Sequence, residues 1–95
     1  MIEQKDGRIC VSGAVTLENA LALREQMAKY LGGSQCVIDF AGVTEIDSAA
    51  VGLMLDWLRL GRAAGTRVQF TGLGDAVSSL VDLYGVGDLL PASSA

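Results

Sequence analysis

Histidine is absent from the 95-residue sequence, which removes the commonest general base and the commonest metal ligand. The acidic residues lack metal-ligand spacing, and no phosphate-binding GxxxxGK[ST] loop occurs. Gly72 and Gly74 lack the rest of a dinucleotide fingerprint, and Ser48 has only carboxylates as candidate bases. We therefore expect a chain that is not an enzyme and uses no cofactor and no metal.

Basic residues are few: seven Lys and Arg stand against eleven Asp and Glu, and the net charge is -4. Nucleic acid is a poor partner for such a chain, because phosphate binding needs clustered cations. Long apolar runs are also missing, since Asp56, Arg59 and Arg62 interrupt the most apolar helix, and the first residues form no signal-peptide core. These features predict a cytoplasmic protein that meets a membrane only indirectly, through a partner.

Cysteine is limited to Cys10 and Cys36, each in an apolar, strand-like run. They are interpreted as buried free thiols, and a disulfide between neighbouring strands is the weaker alternative. Hydrophobic residues make up 51% of the chain and charged residues 19%. This composition predicts one globular domain, residues 1–95, with a core of its own.

Hydrophobic periodicity divides the chain into strands and helices. Asp6 and Gly7 form a hairpin signal between two strands. Thr16 is a candidate cap for a helix whose apolar stripe comprises Ala20, Leu23, Met27 and Leu31, with Leu17 and Ala28 alongside. The predicted strands are Ile2–Lys5, Arg8–Val15, Cys36–Phe40 and Arg67–Thr71, and the predicted helices are Leu17–Leu31, Ala49–Ala64 and a third from Asp75 to Gly85. The third helix has Val77, Leu80, Val81 and Tyr84 on one face. A short turn or helix is predicted at Gly87–Leu90, and Pro91 ends it.

Strand-helix-strand repeats imply parallel pairing, and the opening hairpin adds an antiparallel edge. The predicted fold is therefore α/β, a four-stranded mixed sheet with three to four helices.

The most informative stretch runs from Val37 to Gly61. A buried strand leads through a predicted loop, Ala41–Asp47, to a helix whose first residue or cap is Ser48. A serine there is most often only a cap. Its position after a strand and loop, followed by the small Ala49 and Ala50, also predicts an exposed hydroxyl on which a phosphate is physically tolerable.

The helix that follows Ser48 has two adjacent apolar faces. Val51, Met54, Leu55 and Leu58 form one face, and Leu53, Trp57, Leu60 and Ala64 form the other. The polar strip is narrow and begins at Gly52. Either the third helix buries the second face, or Trp57 and Leu60 form an exposed anchor beside Ser48.

The run from Val37 to Gly52, VIDFAGVTEIDSAAVG, closely resembles the signature of STAS domains. In that family an apolar strand leads through Asp and a Gly-Val turn to Ile-Asp-Ser/Thr at the start of a helix. The order of hairpin and helices agrees as well, so the resemblance covers nearly the whole chain. It implies a STAS-like sheet and a non-catalytic module that binds other proteins.

Two subfamilies fit the resemblance. MlaB-like proteins bind and support the MlaF ATPase of the MlaFEDB phospholipid ABC transporter, which maintains outer-membrane lipid asymmetry. The C-terminal stretch of this chain and its apolar second helix resemble those of MlaB-like proteins. This is the leading expectation, with partner-binding residues Asp47, Ser48, Ala49, Gly52, Trp57 and Leu60. The alternative is an anti-sigma-factor antagonist that is phosphorylated on Ser48 and has an anti-sigma factor kinase as its partner; Ala49-Ala50 departs from the Ser-Gly common there.

Overall fold

The computed structural model describes residues 1–83. The predictions for Tyr84, Gly85, Gly87–Leu90 and Pro91 lie outside the described residues. The elements are β1 Ile2–Lys5, β2 Arg8–Val15, α1 Leu17–Ala28, β3 Gln35–Ile46, α2 Ala49–Ala63, β4 Arg67–Thr71 and α3 Asp75–Leu83.

The sheet has the strand order β1-β2-β3-β4, antiparallel between the first two strands and parallel elsewhere. Asp6 and Gly7 have φ values of 51° and 77°. A tight hairpin of the primed type needs positive φ at both central residues, and Asp and Gly tolerate it. The predicted hairpin and the mixed four-stranded sheet are both confirmed.

The loop predicted at Ala41–Asp47 is wrong, because β3 continues to Ile46. Its second half pairs in parallel with the end of β2, from the pair Ser12 and Gly42 to the pair Val15 and Ile46. The sequence Ala-Gly-Val-Thr-Glu has a weak strand pattern, but strand formation depends on the neighbouring strand more than on local preference. β4 pairs only with the first half of β3, up to Asp39 opposite Thr71. β3 thus projects well beyond its neighbour β4.

The core lies between the sheet and the apolar sides of the helices, with α2 in contact with α1, α3 and β4. Phe40 meets both Trp57 and Phe70 edge to face, with ring centroids 6.2 Å and 6.1 Å apart. The largest fully buried side chains are Trp57, Phe70, Met27, Ile38, Met54, Val11 and Val15. This core fixes α2 so that its first turn lies at the end of β3.

Candidate functional site at the amino ends of two helices

Asp47 joins the beginnings of two helices. Its Oδ1 accepts a hydrogen bond from the backbone N–H of Ala49 at 2.8 Å, and its Oδ2 accepts one from the backbone N–H of Leu17 at 3.0 Å. Its own N–H lies 3.4 Å from the carbonyl oxygen of Val15 at the end of β2. The amide groups in the first turn of a helix have no partner within the helix, so one carboxylate satisfies an amide at each helix start. The first turns of α1 and α2 are therefore held side by side.

Ser48 occupies the position predicted for it, at the exposed start of α2, but its hydroxyl does not cap the helix. Its backbone is already helical, with φ -61° and ψ -19°. A capping side chain needs an extended backbone to reach back to the first amides, and Asp47 has taken that role. Thr16 also forms no cap hydrogen bond, and the amide of Leu17 next to it is bonded to Asp47. The capping prediction for Thr16 is wrong, and of the two alternatives predicted for Ser48, first residue or cap, the structure has the first residue.

Ala49 and Gly52 continue the surface beside Ser48. Ala49 is half-buried, and Gly52 is exposed within the second turn of α2. A Cβ atom added at Gly52 would meet nothing within 4 Å. At Gly61, in the same helix, it would collide with Val68 Cγ2. Packing within the described residues requires a glycine at position 61 but gives no reason for one at position 52.

Trp57 is not part of this surface. The prediction that it forms an exposed anchor is wrong, because its side chain is fully buried and packs against Phe40. Leu60, the other predicted anchor, is half-buried and packs against the core. Both apolar faces of α2 therefore pack within the fold, which was the predicted alternative to an exposed anchor.

Leu17 and Leu21 of α1 are two exposed apolar residues near Asp47 that were not predicted as part of the site. Their exposed fractions are 76% and 65%. Their spacing of four residues places them together on one side of the helix, apart from the buried Leu23 and Met27. Leu17 was predicted only to lie alongside the packing stripe, whereas its i,i+4 spacing from Leu21 is the sequence signal for a separate apolar pair.

Two contacts align α1 with α2. The first joins Leu17 to Asp47 next to Ala49, and the second is the ion pair between Arg24 Nε and Asp56 Oδ2 at 3.6 Å. Leu17 and Arg24 in α1, and Ala49 and Asp56 in α2, have the same separation of seven residues, which is about 10 Å of helix. Leu17 and Leu21 therefore run alongside Ser48 and Gly52. We call these four residues, together with Asp47 and Ala49, the helix-start surface.

The helix-start surface offers contact area and hydrogen-bonding groups. Within residues 1–83, no three His, Cys, Asp or Glu residues are grouped as metal ligands would be. None of the helices in the described part of the chain is long and apolar enough to cross a membrane. Cys10 and Cys36 are both free thiols, and burial raises the pKa of Cys36 above its usual value of 9.0. The disulfide alternative is therefore not what forms.

Solved structures with this fold include anti-sigma factor antagonists and a chain of the stressosome. The anti-sigma factor antagonist SpoIIAA in its unphosphorylated form has a TM-score of 0.73 at 17% identity, and the match covers 99% of this chain and 87% of that one. An anti-sigma factor antagonist from Mycobacterium paratuberculosis has a TM-score of 0.72 at 23% identity, covering 100% and 84%. A chain of the stressosome, a signal integration and transduction hub, has a TM-score of 0.66 at 19% identity, covering 97% and 85%.

These identities are low, so the likeness concerns the fold. No curated protein sequence matches the chain. A family model does, over residues 2–91, and it is described as "Mlab, STAS domain". Because the match spans nearly the whole sequence, the chain belongs to the STAS-domain family.

Proposed function

We propose that this chain is a non-catalytic STAS subunit that binds the ATPase of an MlaFEDB-like phospholipid ABC transporter. The observation that carries the proposal is the helix-start surface, where Asp47 holds two helix ends together and leaves Ser48 and Gly52 exposed. The family model that matches residues 2–91 names Mlab, which favours this subfamily. In this role the chain is cytoplasmic and reaches the inner membrane only through its partner.

The helix-start surface has the features of a docking site. Leu17 and Leu21 supply exposed apolar side chains that a partner can desolvate. Ser48 and Gly52 are small, so a partner side chain can approach the backbone of α2 closely. Asp47 holds both helix starts before the partner arrives, so little conformational entropy is lost on binding.

Support of the ATPase then follows from binding alone. A subunit that binds the folded ATPase and not its unfolded chain raises the free energy of unfolding of the ATPase by mass action. At a subunit concentration about 100 times Kd, this stabilisation is about 2.7 kcal/mol. The chain needs no catalytic group for this role.

The second candidate is an anti-sigma-factor antagonist that an anti-sigma factor kinase phosphorylates on Ser48. One observation favours it: the Ser48 side chain is exposed and makes no cap hydrogen bond. A phosphate there would lie at the positive end of α2. It would also lie next to the Asp47 carboxylate, and this repulsion would weaken any contact made across the helix-start surface.

The experiment is a direct comparison of the two partners. The purified chain is mixed with the ATPase subunit of the phospholipid transporter from its own genome and, separately, with an anti-sigma factor kinase plus ATP. We expect a stable complex with the ATPase on size-exclusion chromatography, and no phosphate on Ser48 by mass spectrometry. Stoichiometric phosphorylation of Ser48 by the kinase, lost in Ser48→Ala, with no ATPase complex would establish the second candidate instead.

A further inference from the structure

One edge of the sheet is open in the described part of the chain. β4 pairs with β3 only from Gln35 to Asp39, whereas β2 follows β3 to Ile46. Residues 40–46 of β3 therefore have a neighbouring strand on one side only, among residues 1–83. About half of the backbone N–H and C=O groups of such a segment point away from the paired strand.

The chain passes close to the near end of this edge at Gly72. Gly72 has a φ of 69°, and a Cβ atom there would collide with Asp39 Oδ1 and lie 2.8 Å from the Ala41 backbone nitrogen. Asp39 Oδ1 itself accepts the N–H of Ala41 at 2.8 Å. β4 ends at Thr71, and Asp39 opposite Thr71 is its last pair with β3.

A groove of about 210 Å³ lies between the open edge and the beginning of α3. Phe40 and Val77 contribute buried apolar side chains to it, and Glu45 is the charged residue among its lining residues. On the opposite side the groove is lined by Gly72, Gly74 and Ala76, which present little side-chain bulk. The groove therefore combines unpaired strand backbone, an apolar floor and one exposed carboxylate.

The geometry points to strand addition at this edge, beyond the crossing at Gly72: residues 42–46 of β3 bind an extended segment of a partner protein in which apolar residues alternate with lysine or arginine. Backbone hydrogen bonds to an open edge supply affinity, and alternate side chains supply specificity. An apolar residue of the segment faces Phe40 and Val77, and a cation meets Glu45. The net charge of -4 also favours a positively charged partner segment.

The groove adjoins the helix-start surface, because Glu45 and Ile46 directly precede Asp47 and Ser48. A partner docked on the helix starts has this groove beside it and can place an extended arm there. The inference does not depend on which partner binds the helix starts, so its test uses a peptide and neither candidate partner.

The probe is a blocked hexapeptide that alternates valine and lysine, titrated into the full-length ¹⁵N-labelled protein. We expect saturable changes in the amide NMR signals of residues 42–46, Gly72 and Gly74, with a Kd below about 1 mM. A peptide with glutamate in place of lysine should bind at least about fivefold more weakly because it faces Glu45. A peptide with N-methylated backbone should also lose binding, because it cannot donate to the edge.

Gly74→Phe is the blocking variant, because a Cβ atom at Gly74 meets nothing within 4 Å and the added ring would fill the groove without straining the backbone. Gly32→Phe is the matched control, since Gly32 is also exposed and open but does not line the groove. We expect about a tenfold loss of affinity for Gly74→Phe and none for Gly32→Phe.

Three results would overturn the proposal. The first is the absence of saturable shifts, and the second is equal binding by Gly74→Phe and the wild type. The third is a shift of the same amides with protein concentration alone, which would mean that the edge pairs with a second copy of this chain.

Discussion

The Asp47 carboxylate accepts the backbone N–H of Leu17 at 3.0 Å, although the two residues are thirty positions apart in the chain. The other oxygen of the same carboxylate accepts the N–H of Ala49 at 2.8 Å. One side chain therefore sets the positions of the first turns of α1 and α2 relative to each other. The helix-start surface exists because of this shared carboxylate, and Ser48 is left to face outward.

Removing the shared carboxylate should destabilise the fold more than removing the neighbouring hydroxyl. Asp47→Ala leaves two helix-start amides without their acceptor and should lower the free energy of unfolding by about 1–3 kcal/mol. Asp47→Asn keeps one acceptor oxygen, so its free energy of unfolding should lie between those of Asp47→Ala and the wild type. Ser48→Ala should cost less than about 0.5 kcal/mol, because its hydroxyl caps nothing. Urea denaturation measures all three, and a larger loss for Ser48→Ala than for Asp47→Ala would refute the assignment of the cap.

The two glycines of α2 should respond in opposite ways to alanine. Gly52→Ala adds a Cβ atom in open space and should raise the free energy of unfolding by about 0.5–1 kcal/mol through helix propensity. Gly61→Ala brings a Cβ atom against Val68 and should lower it by about 1–3 kcal/mol. Thermal melts of the pair are the measurement. A destabilising Gly52→Ala would mean that the fold, and not a partner, requires this glycine.

Trp57 should behave as a core residue. Trp57→Ala should lower the free energy of unfolding by about 3–5 kcal/mol, because the indole is fully buried against Phe40. Trp57→Phe should cost clearly less, because it keeps an aromatic ring there and removes an indole N–H that has no hydrogen-bond partner within residues 1–83. Equilibrium unfolding of both variants tests this. A melting temperature of Trp57→Ala close to that of the wild type would indicate that Trp57 lies at the surface and not in the core.

The buried thiol of Cys36 should make stability depend on alkaline pH. Burial raises the pKa of Cys36 above 9.0, so the unfolded chain loses this proton first as the pH rises. The stabilising contribution is complete below the unfolded-state pKa and is lost as the pH rises through the folded-state pKa. The wild type should therefore lose more unfolding free energy than Cys36→Ala between pH 8 and pH 10, which are about one unit on either side of the ordinary thiol pKa of 9.0. Identical slopes in denaturation series would contradict this.

Much of the fold follows from local sequence signals. The hairpin at Asp6 and Gly7 and the end of α2 before Gly65 needed only turn and helix-end chemistry. The second half of β3 could not be predicted in this way, because Ala41 to Ile46 become a strand only by pairing with β2. Pairing between distant segments overrides weak local preference.

The candidate site divides in the same way. The position and exposure of Ser48 were predictable from the strand-to-helix pattern. Asp47 as the shared acceptor was not, because the Leu17 amide approaches it only in the folded chain. The burial of Trp57 could not be predicted for another reason. α2 has two apolar faces, and hydrophobic periodicity alone does not show whether other elements cover one face or both.

The most direct test of the central claim is the binding of Ser48→Asp to the transporter ATPase, measured beside a thermal melt of the same preparation. Asp suits the positive end of α2, so the melting temperature should stay within about 2 °C of the wild type. In a close contact the new carboxylate is desolvated beside Asp47, so affinity should fall at least about thirtyfold. Ser34→Asp, which adds the same charge at an exposed serine outside the helix-start surface, should bind as the wild type does. A folded Ser48→Asp protein that binds the ATPase at full affinity would show that the helix starts are not the recognition surface.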